Sequence, residues 1–372
     1  MSNVLVLFYD RKDQLRPAQV EGKEWTLADA IKLGFAGTGV GYTVRTASPR
    51  HEPWLVQYYM NEKKYDAMLI VGGLSCSLDI PNMLMEELYD NREIRMAPRD
   101  WKSAVIEESH LEGKIMQRHE IKISEQHLKS NYFDQERRIP VLGIPTADPH
   151  TYGEIAFASM LMSSRPSEAA CVGVEQGYQG AKLVTRMLTN KWNDIKVIVP
   201  EKNNAFRGTG YGICTMLDKE FKSYEDCGIS FGVETWNDYR PTPLKPWTPK
   251  PNVLHICVYD EFTQLKEVSE LADFVIGVAH FSDKDVAPEG KIDFKHFVKK
   301  ASEFSNVIHV RPAVPENAAK FAAQCLALHS YQKKIPGQDK TETVWLKPSR
   351  FPDLRRKKSW PNVQEFLKTL EG

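Results

Sequence analysis

The sequence predicts an α/β protein built from two tandem doubly wound, flavodoxin-like α/β/α units with parallel sheets, of which the first carries a helical insertion. Short runs that are apolar on both faces recur along the chain, as is typical of parallel strands that are covered on both sides. Stretches with helical spacing separate these runs. The pattern repeats in the second half of the 372 residues, a length that suits two domains of about 150 residues each.

Residues 1–192 form the first predicted unit. Its strands are the apolar runs at 4–8, 42–44, 67–71, 141–144 and 170–174, and its clearest helices lie at 27–35, 54–61 and 180–188. Because strands that alternate with helices are the pattern of a doubly wound sheet, we expect helices on both faces of a parallel sheet in this unit.

A charged, strand-poor segment at 86–138 interrupts the first unit after its third strand. The spacing of its apolar residues predicts one or two amphipathic helices, followed by a short strand at 121–123. These apolar residues are Trp101, Val105, Ile106, Leu111, Ile115 and Met116. The sequence leaves two uses open for the insertion, which are packing on a neighbouring subunit and covering the ligand cleft.

Residues 193–335 form the second predicted unit, with strands at 195–199, 229–233, 253–258, 274–278 and 307–310. The first strands of the two units align at an offset of 192 residues, whereas the closing helices at 180–183 and 318–321 align at an offset of 138. The insertion accounts for the difference, so the two units are interpreted as copies of one fold. Two unrelated α/β domains are the alternative.

The remaining residues, 336–372, form a predicted tail with several prolines and a closing helix at 363–370. The tail contains the basic run Arg355-Arg356-Lys357-Lys358. Such a run is usually a solvated face, and nucleic-acid binding is the less favoured alternative.

The composition excludes several classes of protein. Because 49 Lys and Arg residues balance 49 Asp and Glu residues, the charge argues against a nucleic-acid-binding protein. None of the six cysteines lies in a C-x-x-C pair, so reduced core cysteines are favoured over disulfides or zinc ligands. No apolar run approaches the ~18 residues of a membrane helix, and the N-terminus does not have the pattern of a signal peptide. We therefore expect a cytoplasmic protein with no membrane partner.

Candidate site residues follow four strands of the first unit, because ligands of open parallel sheets bind beyond the carboxyl ends of the strands. They are Asp10 and Asp13 after the first strand, Ser48, Arg50 and His51 after the second, Gly72, Gly73, Ser75 and Ser77 after the third, and Pro145, Thr146 and His150 after the fourth. No metal site and no cofactor are predicted, because the sequence contains no His-x-x-x-His motif and no Cys/His cluster.

The residue types in these loops indicate an anion site. The glycines at 72 and 73 let the backbone approach a ligand closely, and Ser75 and Ser77 add hydroxyl donors at a predicted helix start, which is the chemistry of a phosphate or carboxylate site. Arg50 and His51 supply a fixed cation and a group that titrates near neutral pH. A surface or structural role for His51 is the alternative.

The loops of the first unit resemble those of the N-carboxyaminoimidazole ribonucleotide mutase (PurE-like) family, the aminoimidazole ribonucleotide carboxylases of purine synthesis. The family's second loop reads Ser-Ala-His-Arg-Thr-Pro, where residues 48–53 read Ser-Pro-Arg-His-Glu-Pro. Its third loop, Gly-Gly followed by Ala-His-Leu-Pro-Gly-Met, is similar to 72–73 and 81–83, and its fourth strand, Pro-Val-Leu-Gly-Val-Pro, is similar to 140–145. The fifth strand and last helix of the family resemble 172–188, and more faintly 317–324 in the second unit.

The resemblance implies an enzyme that moves a carboxyl group on a phosphorylated aminoimidazole or purine-type ribonucleotide. Arg50, Ser48 and the Gly72–Gly73 loop would then bind phosphate, Asp13 would hold ribose or base, and His51 or His150 would move the proton. Three features depart from the family's pattern. Only Asp13 matches the first-loop signature Gly-Ser-x-Ser-Asp, the histidine and arginine of the second loop are interchanged, and the third-loop histidine has no equivalent.

Two other functions stay open on the same fold, a catalytically silent nucleotide-binding or sequestering protein and a structural assembly subunit. The loops of the second unit lack a Gly-Gly pair, so this unit is interpreted as mainly structural. Asp260 and His280 are the residues that favour a functional site in this unit instead. The resemblance also implies assembly, since family members form octamers of single units. A duplicated chain would form a homotetramer, a pseudo-octamer.

Overall fold

The computed structural model of the protein describes residues 2–8, 11–46, 65–72, 103–109, 115–122, 140–147, 153, 156–157, 160, 170–201, 204–220, 225–239, 241, 252–280, 294–312 and 314–346. Contacts between Cα atoms divide the chain into two compact units. Unit 1 comprises Met1–Met160 and Cys171–Leu188, and unit 2 comprises Leu161–Ala170 and Thr189–Gly372. The chain passes into unit 2 for the last time at Thr189, whereas the sequence-based boundary follows residue 192.

Unit 1 combines a mostly parallel sheet with helices. Its described elements are β1 (Asn3–Phe8), α1 (Arg11–Gln14), β2 (Pro17–Val20), β3 (Lys23–Thr26), α2 (Leu27–Phe35), β4 (Gly41–Thr46), β5 (Ala67–Gly72), β6 (Ser103–Ser109), β7 (Ile115–Lys122), β8 (Val141–Pro145), β9 (Ala170–Cys171) and α3 (Gly177–Thr189). The strands follow the order β9-β8-β5-β1-β4-β6-β7. The central strands β1, β4, β5 and β8 pair in parallel, as the apolar runs predict.

The core of unit 1 forms where the apolar runs stack into neighbouring strands. Val4 pairs with Tyr42 of β4 and with Ala67 of β5. Residues 4–8 of β1 and 67–71 of β5 are fully buried, which requires cover on both faces of the sheet. The carboxyl ends of β1, β4, β5 and β8 therefore meet at one edge, which we call the carboxyl edge of unit 1.

The prediction of a helical insertion is wrong for the part of 86–138 that the structure describes. Residues 103–109 and 115–122 form β6 and β7, an antiparallel hairpin with a register shift between Glu108 and Ser109. Strand β6 pairs antiparallel with β4, where Thr46 lies opposite Glu107, so the sheet is mixed rather than parallel. The open backbone groups of β4 take a further strand, and this pairing overrides the helical spacing of the apolar residues. The other residues of the insertion lie outside the described ranges.

A second hairpin, β2–β3, leads into α2. Its turn contains Glu21 and Gly22, both with positive φ (52° and 76°), as a two-residue hairpin turn of type I′ requires. Helix α2 then begins at a hydrogen-bonded cap, in which the Asp29 backbone N–H donates to Thr26 Oγ1 (3.2 Å) and the Thr26 hydroxyl donates to Asp29 Oδ2 (2.8 Å). This exchange satisfies a backbone donor that the first helical turn leaves open.

Unit 2 has the same kinds of element. They are β10 (Asp194–Val199), α4 (Asn204–Glu220), a 3₁₀ turn (Glu225–Cys227), β11 (Ser230–Thr235), α5 (Trp236–Tyr239), β12 (Val253–Tyr259), α6 (Phe262–Leu271), β13 (Val275–Ala279), α7 (Phe294–Ala301), β14 (Val307–Val310), α8 (Pro315–Ala327), β15 (Ser330–Lys334) and β16 (Thr341–Trp345). The first five strands follow the order β11-β10-β12-β13-β14 and pair in parallel.

Aromatic packing closes one end of the core of unit 2. The Trp192 side chain is buried, with its ring centroid 5.1 Å from that of Phe274 and 6.0 Å from that of His329. The Tyr331 hydroxyl donates to the Trp192 carbonyl at 3.1 Å, which ties β15 to the start of the unit. Strands β15 and β16 pair antiparallel, so this hairpin spans the tail boundary predicted at 335/336. The predicted helix at 363–370 lies outside the described residues.

Two glycines of α4 provide a matched test of the packing of unit 2. A Cβ atom at Gly210 would lie 2.9 Å from Val233 Cγ1 and 3.0 Å from Val199 Cγ1, whereas one at Gly208 would meet nothing within 4 Å. We expect Gly210→Ala to lower the free energy of unfolding by about 1–3 kcal/mol. Gly208→Ala is expected to raise it by up to about 1 kcal/mol, because glycine weakens a helix interior. Urea unfolding followed by circular dichroism tests the pair, and equal stability of the two variants would contradict this packing.

The described residues also bear on the cysteines and on membrane spanning. Cys171, Cys257 and Cys325 are buried and free, as expected of reduced core cysteines, whereas Cys214 and Cys227 are free but only half-buried. Cys76 lies outside the described ranges. No helix in the described part of the chain has the length and apolar character that a membrane crossing requires.

Candidate functional site

Four of the predicted site residues are described, and the structure brings all four together at the carboxyl edge of unit 1. Gly72 ends β5 and Pro145 ends β8, and the two are register partners. The Thr146 backbone N–H donates to the Gly72 carbonyl at 3.0 Å. The Thr146 hydroxyl donates to Asp13 Oδ1 at 3.1 Å, a contact between residues 133 positions apart in the chain. The first and fourth loops therefore meet through a direct side-chain hydrogen bond.

Asp13 is positioned by α1, a single helical turn that begins soon after β1 ends. The side chain of Asp13 is buried, and its Oδ1 atom also accepts a hydrogen bond from Arg16 Nε at 2.9 Å. The Arg16 carbonyl in turn accepts from the Leu27 backbone N–H at 2.7 Å, which fixes the end of the turn against α2. The Oδ1 atom of Asp13 thus accepts hydrogen bonds from a cation and from a hydroxyl that belong to different loops.

A further polar contact joins the ends of β1 and β4. The side-chain amide of Gln14 donates to Thr46 Oγ1 at 2.7 Å, and both side chains are buried. Thr46 is the last residue of β4 and the register partner of Phe8 in β1. This contact fixes the end of β4, two residues before Ser48 of the second predicted loop.

A second carboxylate, that of Glu175, lies at the same edge. Its backbone N–H donates to the Pro145 carbonyl at 2.8 Å, and its Oε1 atom accepts from the Ala147 backbone N–H at 3.3 Å. Burial raises the pKa of Glu175, the hydrogen bond from Ala147 and the nearby Arg16 guanidinium lower it, and the negative charge of Asp13 raises it, with a net upward shift. The site therefore combines two carboxylates in different environments, because Asp13 is buried and bound to a cation, whereas Glu175 is half-buried and only partly desolvated.

The other predicted site residues lie outside the described ranges. They are Asp10, Ser48, Arg50, His51, Gly73, Ser75, Ser77 and His150. The prediction that Arg50, Ser48 and the glycine loop hold a phosphate, and that His51 or His150 moves a proton, stays a prediction.

Sequence reasoning missed three polar residues of this edge. Gln14 and Arg16 lie one and three positions beyond Asp13, so an inspection extended along the first loop would have included them. Glu175 follows the fifth predicted strand, at 170–174, and the rule that ligands bind beyond strand ends applies there too. The predicted site covers only the loops after the first four strands and therefore omits the carboxyl end of the fifth.

In unit 2, Asp260 and His280 stand at the ends of neighbouring strands. The His280 backbone N–H donates to the Tyr259 carbonyl at 2.8 Å, and the His280 ring lies 4.5 Å from that of Phe206 at the start of α4. The Asp260 backbone N–H donates to Gln264 Oε1 at 3.2 Å. These contacts place both residues at the carboxyl edge of their own sheet.

A shallow groove of about 500 Å³ opens elsewhere in unit 1, beside the β2–β3 hairpin. It is lined by Leu15, Pro17, Glu24, Trp25, Thr26 and Asp29. None of the predicted site residues lines it, although two of its lining residues, Leu15 and Pro17, flank Arg16 in the chain. Across the described ranges, no group of three or more His, Cys, Asp or Glu residues is arranged to hold a metal ion.

Comparison with known proteins gives little further information. A scan against protein-family models finds no match for the chain, and a search of curated proteins finds none either. The ligand-free, open structure of a substrate-binding protein with adhesive properties from Clostridium difficile is 11% identical, with 82% of this chain and 83% of that chain covered and a TM-score of 0.19. Tagatose-6-phosphate ketose/aldose isomerase from Escherichia coli is 11% identical, with 82% and 81% covered and a TM-score of 0.18. At such TM-scores, neither similarity bears on the fold or the function of this chain.

Proposed function

We propose that unit 1 binds a phosphorylated aminoimidazole or purine-type ribonucleotide at its carboxyl edge and moves a carboxyl group on it, as an enzyme similar to the N-carboxyaminoimidazole ribonucleotide mutases. The observation that carries the proposal is the hydrogen bond from Thr146 to Asp13, which joins two loops that the family resemblance assigns to one site. A buried carboxylate held by a cation and a hydroxyl is a preorganised acceptor for ligand O–H and N–H groups.

The proposed ligand pose follows from this cluster. Asp13 accepts hydrogen bonds from the ribose hydroxyls or from the amino group of the base. Thr146 fixes the orientation of the carboxylate, and Gly72 is the first residue of the Gly-Gly loop by sequence. The phosphate group then lies against that loop, with Arg50 and Ser48 as its further partners by sequence.

We also propose that the two units are copies of one flavodoxin-like fold. This proposal is supported by the strand order, since β4-β1-β5-β8-β9 in unit 1 and β11-β10-β12-β13-β14 in unit 2 share the order second, first, third, fourth, fifth. Four such chains would reproduce the eight units of a family octamer. Light scattering distinguishes this tetramer from the 42.5 kDa monomer, and a monomer at micromolar concentration would contradict it.

Calorimetric titration of the full chain with aminoimidazole ribonucleotide, adenosine monophosphate and ribose 5-phosphate tests the proposed function. We expect aminoimidazole ribonucleotide to bind, and a carboxylated product to appear when bicarbonate is supplied. Arg50→Ala is expected to weaken binding of the two nucleotides and of ribose 5-phosphate alike, because all three carry the same phosphate.

The interchanged arginine and histidine at 50 and 51 favour a second candidate, a silent nucleotide-binding protein. In that case the nucleotides bind and Arg50→Ala weakens binding, but no carboxylated product forms from any of them. If none of the three ligands binds at millimolar concentration, the proposed function is wrong in both forms.

A further inference from the structure

Glu175 has a backbone conformation that a glutamate rarely adopts. Its φ is +58°, in the left-handed region, which costs a non-glycine residue on the order of 1 kcal/mol or more. Glu21, the other described non-glycine residue with positive φ, lies in a hairpin turn that requires this conformation. Glu175 follows a strand at the carboxyl edge of the sheet, and strained residues of this kind concentrate at functional sites.

The contacts of Glu175 show how this conformation is held. The Glu175 N–H donates to the Pro145 carbonyl at 2.8 Å, and the Glu175 carbonyl accepts from the Gly177 N–H at 2.9 Å. The side chain then turns back across the strand ends, where its Oε1 atom accepts from the Ala147 N–H at 3.3 Å. Backbone groups therefore fix both the main chain and the carboxylate of Glu175, next to the loop that contains Thr146.

The two carboxylates of the edge differ in what surrounds them. Asp13 accepts from the Arg16 guanidinium at 2.9 Å and from the Thr146 hydroxyl at 3.1 Å, contacts that favour its ionised form. Glu175 accepts one neutral backbone N–H and is desolvated, and of the charged groups that act on it from α1, Arg16 favours ionisation and Asp13 opposes it. Two acidic groups with environments this different are the arrangement that separates an ionised anchor from a proton donor or acceptor.

We propose that Glu175 is the proton-transfer residue of this site, exchanging a proton with the bound ligand while Asp13 anchors the ligand through hydrogen bonds. This inference rests on the proposed function for its ligand, an aminoimidazole or purine-type ribonucleotide. The ionised Glu175 takes the proton that leaves the ring carbon as that carbon gains a carboxyl group from bicarbonate, and the protonated form passes the proton to the hydroxide of the bicarbonate, which leaves as water. Burial raises the proton affinity of the carboxylate above that of an ordinary glutamate, and its contacts hold it in a fixed position, which a general acid or base requires.

The upward shift of the Glu175 pKa makes the free energy of unfolding depend on pH, and the direction of the shift decides the sign of that dependence. Between the ordinary pKa of a glutamate and the raised pKa of Glu175, the folded chain binds more protons than the unfolded chain does. The stabilising contribution of this proton is therefore complete at low pH and is lost as the pH rises through the raised pKa. We expect Glu175→Gln, a neutral mimic of the protonated form, to melt at a higher temperature than wild type at pH 8 and at nearly the same temperature at pH 4.

Infrared difference spectroscopy of the ligand-free chain tests the inference without any ligand. We expect the spectrum to contain a protonated carboxyl band that persists above the ordinary pH range of a glutamate. Glu175→Gln removes this band, and Glu21→Gln, which changes a glutamate in the hairpin turn with similar φ, leaves it in place. Loss of the carboxyl band at the pH of an ordinary glutamate would overturn the inference, whether or not a ribonucleotide binds.

Turnover with aminoimidazole ribonucleotide and bicarbonate supplies the second readout. We expect Glu175→Gln to lower kcat by 100-fold or more, the order of general acid–base catalysis, with a small change in KM. Glu175→Asp is expected to recover part of the rate with a shifted pH profile. If Glu175→Gln turns over with the rate and pH profile of wild type, the inference is wrong and the proposed function still stands.

Discussion

Asp13→Asn is expected to weaken binding of aminoimidazole ribonucleotide by about 10- to 100-fold, the range that a lost hydrogen bond to a charged group gives. Asparagine has nearly the same shape and still accepts from the Thr146 hydroxyl, so the fold is preserved. The charge, however, is lost at the one carboxylate that both Arg16 and Thr146 orient. Calorimetric titration of wild type and variant measures the change in Kd, and melting curves show that the variant is folded.

Asp66→Asn is the matched control for this prediction. Asp66 Oδ2 accepts from the Asn3 N–H at 2.9 Å, at the amino end of β1 and therefore at the opposite edge of the same sheet. We expect Asp66→Asn to leave the Kd unchanged. If Asp13→Asn binds as tightly as Asp66→Asn does, Asp13 has no part in ligand binding.

An analogue without the ribose 2′-hydroxyl identifies the group that Asp13 binds. If this hydroxyl is the donor, the analogue binds wild type more weakly than the ribonucleotide does, while Asp13→Asn binds the two equally. If the base amino group is the donor, replacing the ribonucleotide by the analogue weakens the Kd of wild type and of Asp13→Asn by the same factor. The comparison is a double-mutant cycle between protein and ligand, so it isolates one pairwise contact.

Gly34→Ala is expected to destabilise unit 1 by about 1–3 kcal/mol, the cost of overpacking a close contact. A Cβ atom at Gly34 in α2 would lie 2.6 Å from both the Ala181 Cβ atom and the Tyr178 carbonyl oxygen in α3. Because the carbonyl belongs to the backbone of a helix, the contact is relieved only if α3 moves. That helix begins at Gly177, two residues after Glu175, so we also expect weaker ligand binding.

Two further variants test whether the contact between residue 34 and α3 causes the loss of stability in Gly34→Ala. Lys32→Ala changes an exposed residue of the same helix and is expected to alter stability by less than about 0.5 kcal/mol. Adding Ala181→Gly to Gly34→Ala removes one of the two clashes but not the one with the carbonyl oxygen, so the double variant should recover only part of the loss. Urea unfolding measures all three, and a Gly34→Ala variant as stable as Lys32→Ala would contradict the close packing of α2 on α3.

The strands were the most predictable part of the fold, because their signal is local. The runs at 4–8 and 67–71 are apolar throughout and become β1 and β5, fully buried in unit 1. A run of this kind needs cover on both faces, so the sequence predicts its surroundings as well as its conformation. The helix at 27–35 was likewise predicted with the bounds of α2, since Thr26 supplies a cap and the apolar spacing supplies a packed face.

The strands β6 and β7 were not predictable in the same way. The apolar residues Val105, Ile106, Ile115 and Met116 have helical spacing, but the conformation of 103–109 is decided by pairing with β4 and β7. Such pairing joins residues that are distant in the chain, so propensity and spacing within the segment do not report it. The same reason explains why the small hairpin β15–β16 was not anticipated.

The sequence predicts which residues lie at the candidate site, but it does not predict the contacts between them. The loop rule placed Asp13, Gly72, Pro145 and Thr146 at one edge, and the structure joins them there. The sequence did not predict that Thr146 donates to Asp13, because that contact depends on how α1 turns after β1. The contacts of Glu175 at this edge were also hidden, since its partial burial and left-handed backbone are tertiary properties.

The crystal structure of the full chain soaked with aminoimidazole ribonucleotide would test the central claim most directly. We expect electron density for the ligand at the carboxyl edge of unit 1, with a ribose hydroxyl or the base amino group within hydrogen-bond distance of Asp13 and with Glu175 facing the ring. Ligand density only at another place, such as the groove beside the β2–β3 hairpin or the strand ends of unit 2, would contradict the account.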